Sequence, residues 1–284
     1  MLELTGMGSV LRGLGVLYWL VALACLIAAF KLPRTVVAKG AAVAIVIALF
    51  SYLPVTGYIE SQKRQAYQRE AWAYFKNKCA TEAGEKIYKT FSGVKSVVVV
   101  KPLPPATDSD MYDQYWYGDP YSAPAHSRRG YMEAGTLLGP SPLSNFPTAG
   151  FDFVEFRKSA TTGDRFIRLF KSAIDLRDTL EQAIDKATSR FAISWQDIST
   201  KEDRAFWVAG SRLSIVDLHS NQVVAERTGF LIESGFGSTA GQRRPWLTSR
   251  GSATTCPSLV NGTFDDRVFV LKVLKGVEDS DRGK

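Results

Sequence analysis

The chain has 284 residues, 45% of them hydrophobic, with 35 Lys and Arg against 28 Asp and Glu and a formal net charge of +7. That length accommodates one or two domains with a sizeable buried core. No block of five or more like charges occurs, so the positive charge is not gathered into a nucleic-acid patch.

Hydrophobicity is concentrated at the start. Residues 13–30, GLGVLYWLVALACLIAAF, and residues 40–59, GAAVAIVIALFSYLPVTGYI, contain no charged side chain. Each approaches the ~20 residues an α-helix needs to cross a bilayer. The first run is expected to be a retained span and not a removed signal peptide, which makes two spans. The expected organisation is a transmembrane hairpin over 1–59, with spans at about 11–30 and 40–59, whose first partner is the lipid bilayer. A juxtamembrane stalk helix follows over 60–88, then an α+β domain over 89–276 and a tail over 277–284.

Charge counting does not orient the hairpin by itself. Lys31, Arg34 and Lys39 in the short connector favour a cytoplasmic connector, whereas Lys63, Arg64, Arg69, Lys76 and Lys78 follow the second run. These juxtamembrane residues also suit anionic lipid head groups. Cys25 lies inside the first span and reads as a small packing residue. Cys79 and Cys256 are left as an isolated pair, which persists as a disulfide in an oxidising compartment and would be two unrelated buried thiols in the cytoplasm. The expectation is a bacterial inner-membrane protein with its soluble domain in the periplasm.

Residues 60–81 hold good helix formers and no Pro or Gly, and Tyr67, Ala71, Tyr74 and Lys78 share one side with Trp72 and Phe75 nearby. Gly84 is a natural stop. GVKSVVVVKP reads as a strand through its β-branched run. Residues 102–150 contain eight of the 12 prolines and form a long irregular segment. Its aromatics, Tyr112, Tyr115, Trp116, Tyr117 and Tyr121, predict an ordered loop, because disordered segments are poor in such residues.

Beyond the loop, FDFVEFRKS and DRFIRLFKS predict a hairpin about TTGD. AIDLRDTLEQAIDKAT predicts a helix, with Ile174, Leu176, Leu180 and Ile184 near one face. RFAISWQDI returns to strand. STKEDRAFW is a short helix with Ser199 or Thr200 as N-cap and Glu202 or Asp203 completing a capping box. A hairpin follows around HSNQ, and DRVFVLKVL predicts a final strand. The fold class is α+β, with a two-helix transmembrane hairpin ahead of a mostly antiparallel sheet.

The chemistry-bearing motifs are absent or incomplete. His126 and His219 stand in no ligand-spaced arrangement, and no GxSxG or SxxK occurs. GFGSTAG lacks the Lys and Ser/Thr that close a phosphate loop, though Arg243 and Arg244 nearby suit an anion. Asp108, Asp110, Asp113 and Asp119 offer oxygen ligands for calcium but at no EF-hand spacing, and such residues commonly cap their own turns. No metal or cofactor is therefore expected, and no catalytic residue is assigned. Carbohydrate stacking on the aromatics remains open alongside protein contact. The interaction candidates are Tyr112, Tyr115, Trp116, Tyr117, Tyr121, Arg243, Arg244 and Trp246, since Tyr, Trp and Arg dominate binding hot spots.

Three stretches carry a resemblance: CATEAGEKIYKT, DQYWYGDPY, and the run DISTKEDRAFWVAGSRLSIVDLHSNQVVAERTGFLIESGFGSTAGQRRPWL with a later CP. Over roughly residues 79–275 the chain resembles an uncharacterised family of bacterial envelope proteins, membrane-anchored or lipoprotein. The resemblance implies an exported domain and pairs Cys79 with Cys256; the double span departs from its simpler anchors, and it brings no catalytic residues. The leading expectation is a non-enzymatic periplasmic interaction domain with a protein partner, such as an immunity or accessory protein for an envelope-acting toxin. An envelope ligand-binding protein or hydrolase, using the Tyr-rich loop and the 235–246 loop as a cleft, is the rival. A structural subunit of a membrane complex is the third reading, and small residues such as Gly13 and Gly40 would permit close helix packing.

Overall fold

The computed structural model describes residues 4–101, 107, 109–116, 118, 120–121, 137–138, 150–158, 165–171, 179–248, 253–257 and 266–276. The chain divides into two compact units, residues 1–69 and 70–284.

The first unit is a helical hairpin. α1 (Leu4–Lys31) and the first part of α2 (Val36–Thr81) are both long and apolar enough to cross a membrane. They run alongside each other in opposite directions: Tyr18 meets Phe50 with ring centroids 5.4 Å apart, and Lys39 Nζ lies 5.4 Å from the Phe30 ring. Pro54 stands inside α2. Having no N–H, it cannot serve the carbonyl four residues back, which belongs to Phe50. The Tyr18 hydroxyl of α1 donates to that Phe50 carbonyl at 2.7 Å.

The second unit is α+β with a mostly antiparallel sheet. Its strands are β1 (Gly84–Ile87), β2 (Phe91–Val94), β3 (Ser96–Lys101), β4 (Phe153–Lys158), β5 (Arg165–Lys171), β6 (Thr179–Ile184), β7 (Phe191–Asp197), β8 (Val208–Asp217), β9 (Gln222–Ile232), β10 (Thr255–Cys256) and β11 (Leu274–Gly276). Short helices α3 (Lys201–Ala205) and α4 (Pro245–Thr248) and the longer α5 (Asp266–Val273) complete it. Among the described residues the main sheet runs β1-β9-β8-β7-β3-β4-β5-β6, with β10 also on β9, and β11 pairs with β2 separately. β3 lies parallel to both β4 and β7; the other pairs of the main sheet are antiparallel.

Register explains the core. Ile167, Phe156, Val99, Ile193, Ile215 and Ala225 pair in sequence across β5, β4, β3, β7, β8 and β9, so one row of buried side chains crosses six strands. Phe269, Val270 and Val273 of α5 pack into the same core. On the other face Glu155 pairs with Arg168 across β4 and β5. The carboxylate is buried and accepts Arg168 Nη2 at 2.7 Å, Thr188 Oγ1 at 2.9 Å, and the amides of Thr188 and Ser189 at 2.8 and 2.9 Å. Burial pushes this carboxyl up, but Arg168 and the amides outweigh it and hold the group below its ordinary value.

Three expectations are corrected. Residues 179–184 form β6, not a helix: Leu180 and Ile184 pair with Phe170 and Phe166 of β5, and that ladder outweighs the local helical pattern. Ile174 and Leu176 lie outside the described residues. DRVFVLKVL is α5 followed by the short β11, because Phe269, Val270 and Val273 bury one helical face, and the apolar run Val268–Leu271 is as consistent with a buried helix as with a strand. The helix expected over 60–88 ends at Thr81; Gly84, at φ 146°, leaves helical geometry and opens β1.

The last turns of α2 belong to the second unit. Ala71 and Phe75 are buried against Val208, Phe230 and Ile232. Cys79 and Cys256 form a disulfide there, with Cα atoms 5.7 Å apart and a sequence separation of 177. Closing a loop that long contributes about 2–4 kcal/mol, mainly by restricting the unfolded chain. Cys256→Ser should therefore lower the urea midpoint of the oxidised protein and match wild type once reductant is present; equal midpoints without reductant would contradict this.

A second prediction concerns acid. Arg190 grips Asp217 through Nε at 3.0 Å and Nη2 at 2.6 Å. Those bonds hold the Asp217 carboxyl down at about 2 from its ordinary 3.8, with burial opposing them and the His219 amide assisting. A carboxylate held down in the folded state stabilises above its unfolded value and loses that contribution as pH falls. Asp217→Asn should be less stable than wild type at pH 7, with the gap narrowing below pH ~4 and closing near 2. Urea midpoints across that range measure it.

Candidate functional site

The candidate site is the aromatic segment 107–121 together with the elements that hold it. Asp110 to Tyr112 form a 3-10 turn that touches α4. The segment caps itself. Asp110 Oδ2 accepts the Thr107 amide at 2.6 Å and its hydroxyl at 2.7 Å, and Asp113 Oδ1 accepts the Tyr115 amide at 2.9 Å. These two acids thus serve turn geometry. Asp108, Asp119 and His126 lie outside the described residues, and among the described residues no three His, Cys, Asp or Glu gather as metal ligands.

Among the described residues, the side chains of Gln114, Trp246 and Arg204 fasten the segment to the domain. Gln114 Nε2 donates to the Arg204 and Ala205 carbonyls at 2.7 and 3.1 Å. Trp246 Nε1 donates to the Asp113 carbonyl at 2.7 Å. Arg204 Nη2 donates to the Gly118 carbonyl at 2.7 Å and to Asp197 Oδ2 at 2.9 Å, its guanidinium 5.2 Å from the Trp246 ring centroid. Arg204 is in position because α3 is capped: Thr200 accepts the Asp203 amide while the Asp203 carboxylate accepts the Thr200 amide at 2.7 Å. The buried Asp203 also accepts the Tyr74 hydroxyl at 2.8 Å and lies 3.5 Å from Lys78 Nζ, tying the end of α2 to this corner. Burial, then the bond to Asp203, raises the Tyr74 hydroxyl far above its ordinary value.

The glycine-rich turn closes on itself. The Glu233 carboxylate, fully buried, accepts the amides of Gly235 and Gly237 at 2.9 and 2.6 Å and pairs with Arg243. Gly237 sits at φ 78°, and a Cβ there would meet the Trp207 ring at 2.4 Å. These amides resemble a phosphate cradle in sequence, but they hold the chain's own carboxylate.

The sequence candidates separate by exposure. Tyr112 and Tyr115 are 44% and 58% exposed, whereas Tyr121 and Trp246 are 2% and 1% exposed. Trp116, Arg243 and Arg244 are half-buried, and Tyr117 lies outside the described residues. Tyr121 rests on the backbone of Gly229, where a Cβ would meet its ring. Trp246 fills the junction between the two loops and packs against Trp207, with centroids 5.2 Å apart and the rings tilted by 42°. Sequence reading did not single out Gln114 or Arg204; the only signal for Arg204 was its place in the capped helix, and Gln114 gave none.

If Gln114 anchors the segment, Gln114→Ala should accelerate hydrogen exchange at the amides of residues 112–116 about fivefold, the equivalent of one ~1 kcal/mol hydrogen bond. Exchange in β8 and β9 should stay unchanged.

Compared with protein-family models, curated proteins and solved structures, the chain matches none.

Proposed function

We propose that the protein is a membrane-anchored interaction domain whose soluble part lies in the bacterial periplasm and binds another protein through Tyr112 and Tyr115. The observation that carries the reading is the pairing of exposure with rigidity. Two tyrosines face solvent on a backbone fixed through Gln114, Trp246 and Arg204. Large amphipathic side chains on a pre-ordered backbone lose little entropy on binding, which is what interface anchors require.

Two features support the location. Both apolar helices have span length, and the Cys79–Cys256 disulfide fits an oxidising compartment. The resemblance to envelope proteins agrees, and an immunity or accessory role toward an envelope-acting toxin is the concrete version of the proposal.

Site-specific photo-crosslinking in intact cells tests it. A photoreactive residue at position 115 should give a discrete protein adduct that Tyr112→Ala abolishes, while the same residue at exposed Leu180 should give none. No adduct at 115, or equal labelling at both positions, would overturn the reading.

A further inference from the structure

We infer that Tyr18 and Pro54 form a matched pair: the proline opens a gap in the backbone of α2, and the tyrosine of α1 closes it, locking the two helices together. The inference rests on the membrane reading above, because only in hydrocarbon is the gap costly.

In water the freed Phe50 carbonyl would be solvated. In a bilayer it has no water to accept from, and each unsatisfied backbone group there costs several kcal/mol. α1 carries few donors in its apolar run, chiefly Tyr18 and Trp19. Of these, Tyr18 delivers its hydroxyl to the Phe50 carbonyl at 2.7 Å, thirty-two residues away in sequence. Its ring also packs beside Phe50, at 5.4 Å between centroids. The bond is specific in register. A shift of α1 by one residue turns the hydroxyl about 100° around the helix axis and away from the only carbonyl that Pro54 leaves open. Nearby, Thr56 Oγ1 donates back to the Tyr52 carbonyl at 2.8 Å and the Leu53 carbonyl at 3.1 Å, so α2 is served from its own chain just past the gap. Neighbouring helices commonly satisfy the groups that a proline frees within a span. Here the neighbour is the other arm of the hairpin, so the proline sets helix pairing.

A double-mutant cycle tests this on the full chain in lipid nanodiscs. Spin labels on genetically encoded keto residues at Leu14 and Tyr58, both exposed, read the separation of the helices near the open end of the hairpin. Tyr18→Phe keeps the ring and removes only the hydroxyl. It should raise the population with separated helices about threefold or more, the range measured for interhelical bonds in membranes. Pro54→Ala restores an N–H for the Phe50 carbonyl, so adding Tyr18→Phe to that background should change nothing. No effect of Tyr18→Phe in the proline background, or an equal effect in both backgrounds, overturns the proposal. Retention of the wild type in alkali-washed membranes tests the anchor separately, so the two readings can fail independently.

Discussion

One row of side chains sets the architecture of the second unit. From Ile167 to Ala225, six strands each contribute one buried apolar group in register. A one-residue slip in any of these strands would send its contribution to the opposite face. β3 lies between two parallel neighbours, and its Val97 and Val99 meet β4 and β7 at once. Alternation then puts Glu155 on the far face, where its burial is tolerable only because Arg168, Thr188 and Ser189 satisfy it. The same carboxylate fixes the connection from β6 to β7, so a buried charge organises the loop that delivers the next core strand.

At the other end of β7 the chain turns into α3, and the candidate site is assembled from what that turn presents. Asp203 closes a capping box and at the same time receives Tyr74 from α2. Arg204, next in sequence, points to the aromatic segment and to Trp246. Two adjacent residues on one short helix thus hold the end of α2 and the segment that bears the exposed tyrosines. Trp207, at φ 56°, sits in backbone space unfavourable for a bulky residue. Its carbonyl accepts the Glu233 amide at 2.8 Å and its ring packs against Trp246, contacts that hold the conformation in place.

Legibility in the sequence followed the range of the interactions. The two apolar runs, the capping box of α3 and the β8–β9 hairpin are local patterns, and each is present in the structure at those residues. Leu180 and Ile184 stand four apart, a helical spacing. Only pairing with β5, which local spacing does not encode, makes them strand. α5 is the opposite case: its buried Phe269 and Val270 belong to the apolar run Val268–Leu271, a run that strand and buried helix share. The tyrosines were legible as a group by composition. Their division into exposed Tyr112 and Tyr115 and buried Tyr121 was not, since it depends on Gly229 more than a hundred positions along the chain.

The glycine-rich turn shows how a ligand-like arrangement can be closed from within. Glu233 is joined to the amides it occupies by two to four residues of chain. A group so tethered competes at an effective concentration of roughly millimolar or above. Arg243 adds its charge to the same carboxylate. A dissolved phosphate would have to evict a resident that never diffuses away, and would strip that buried carboxylate of both amide bonds. The ring of amides therefore serves as an internal clasp, keeping Trp246 in position beneath the aromatic segment.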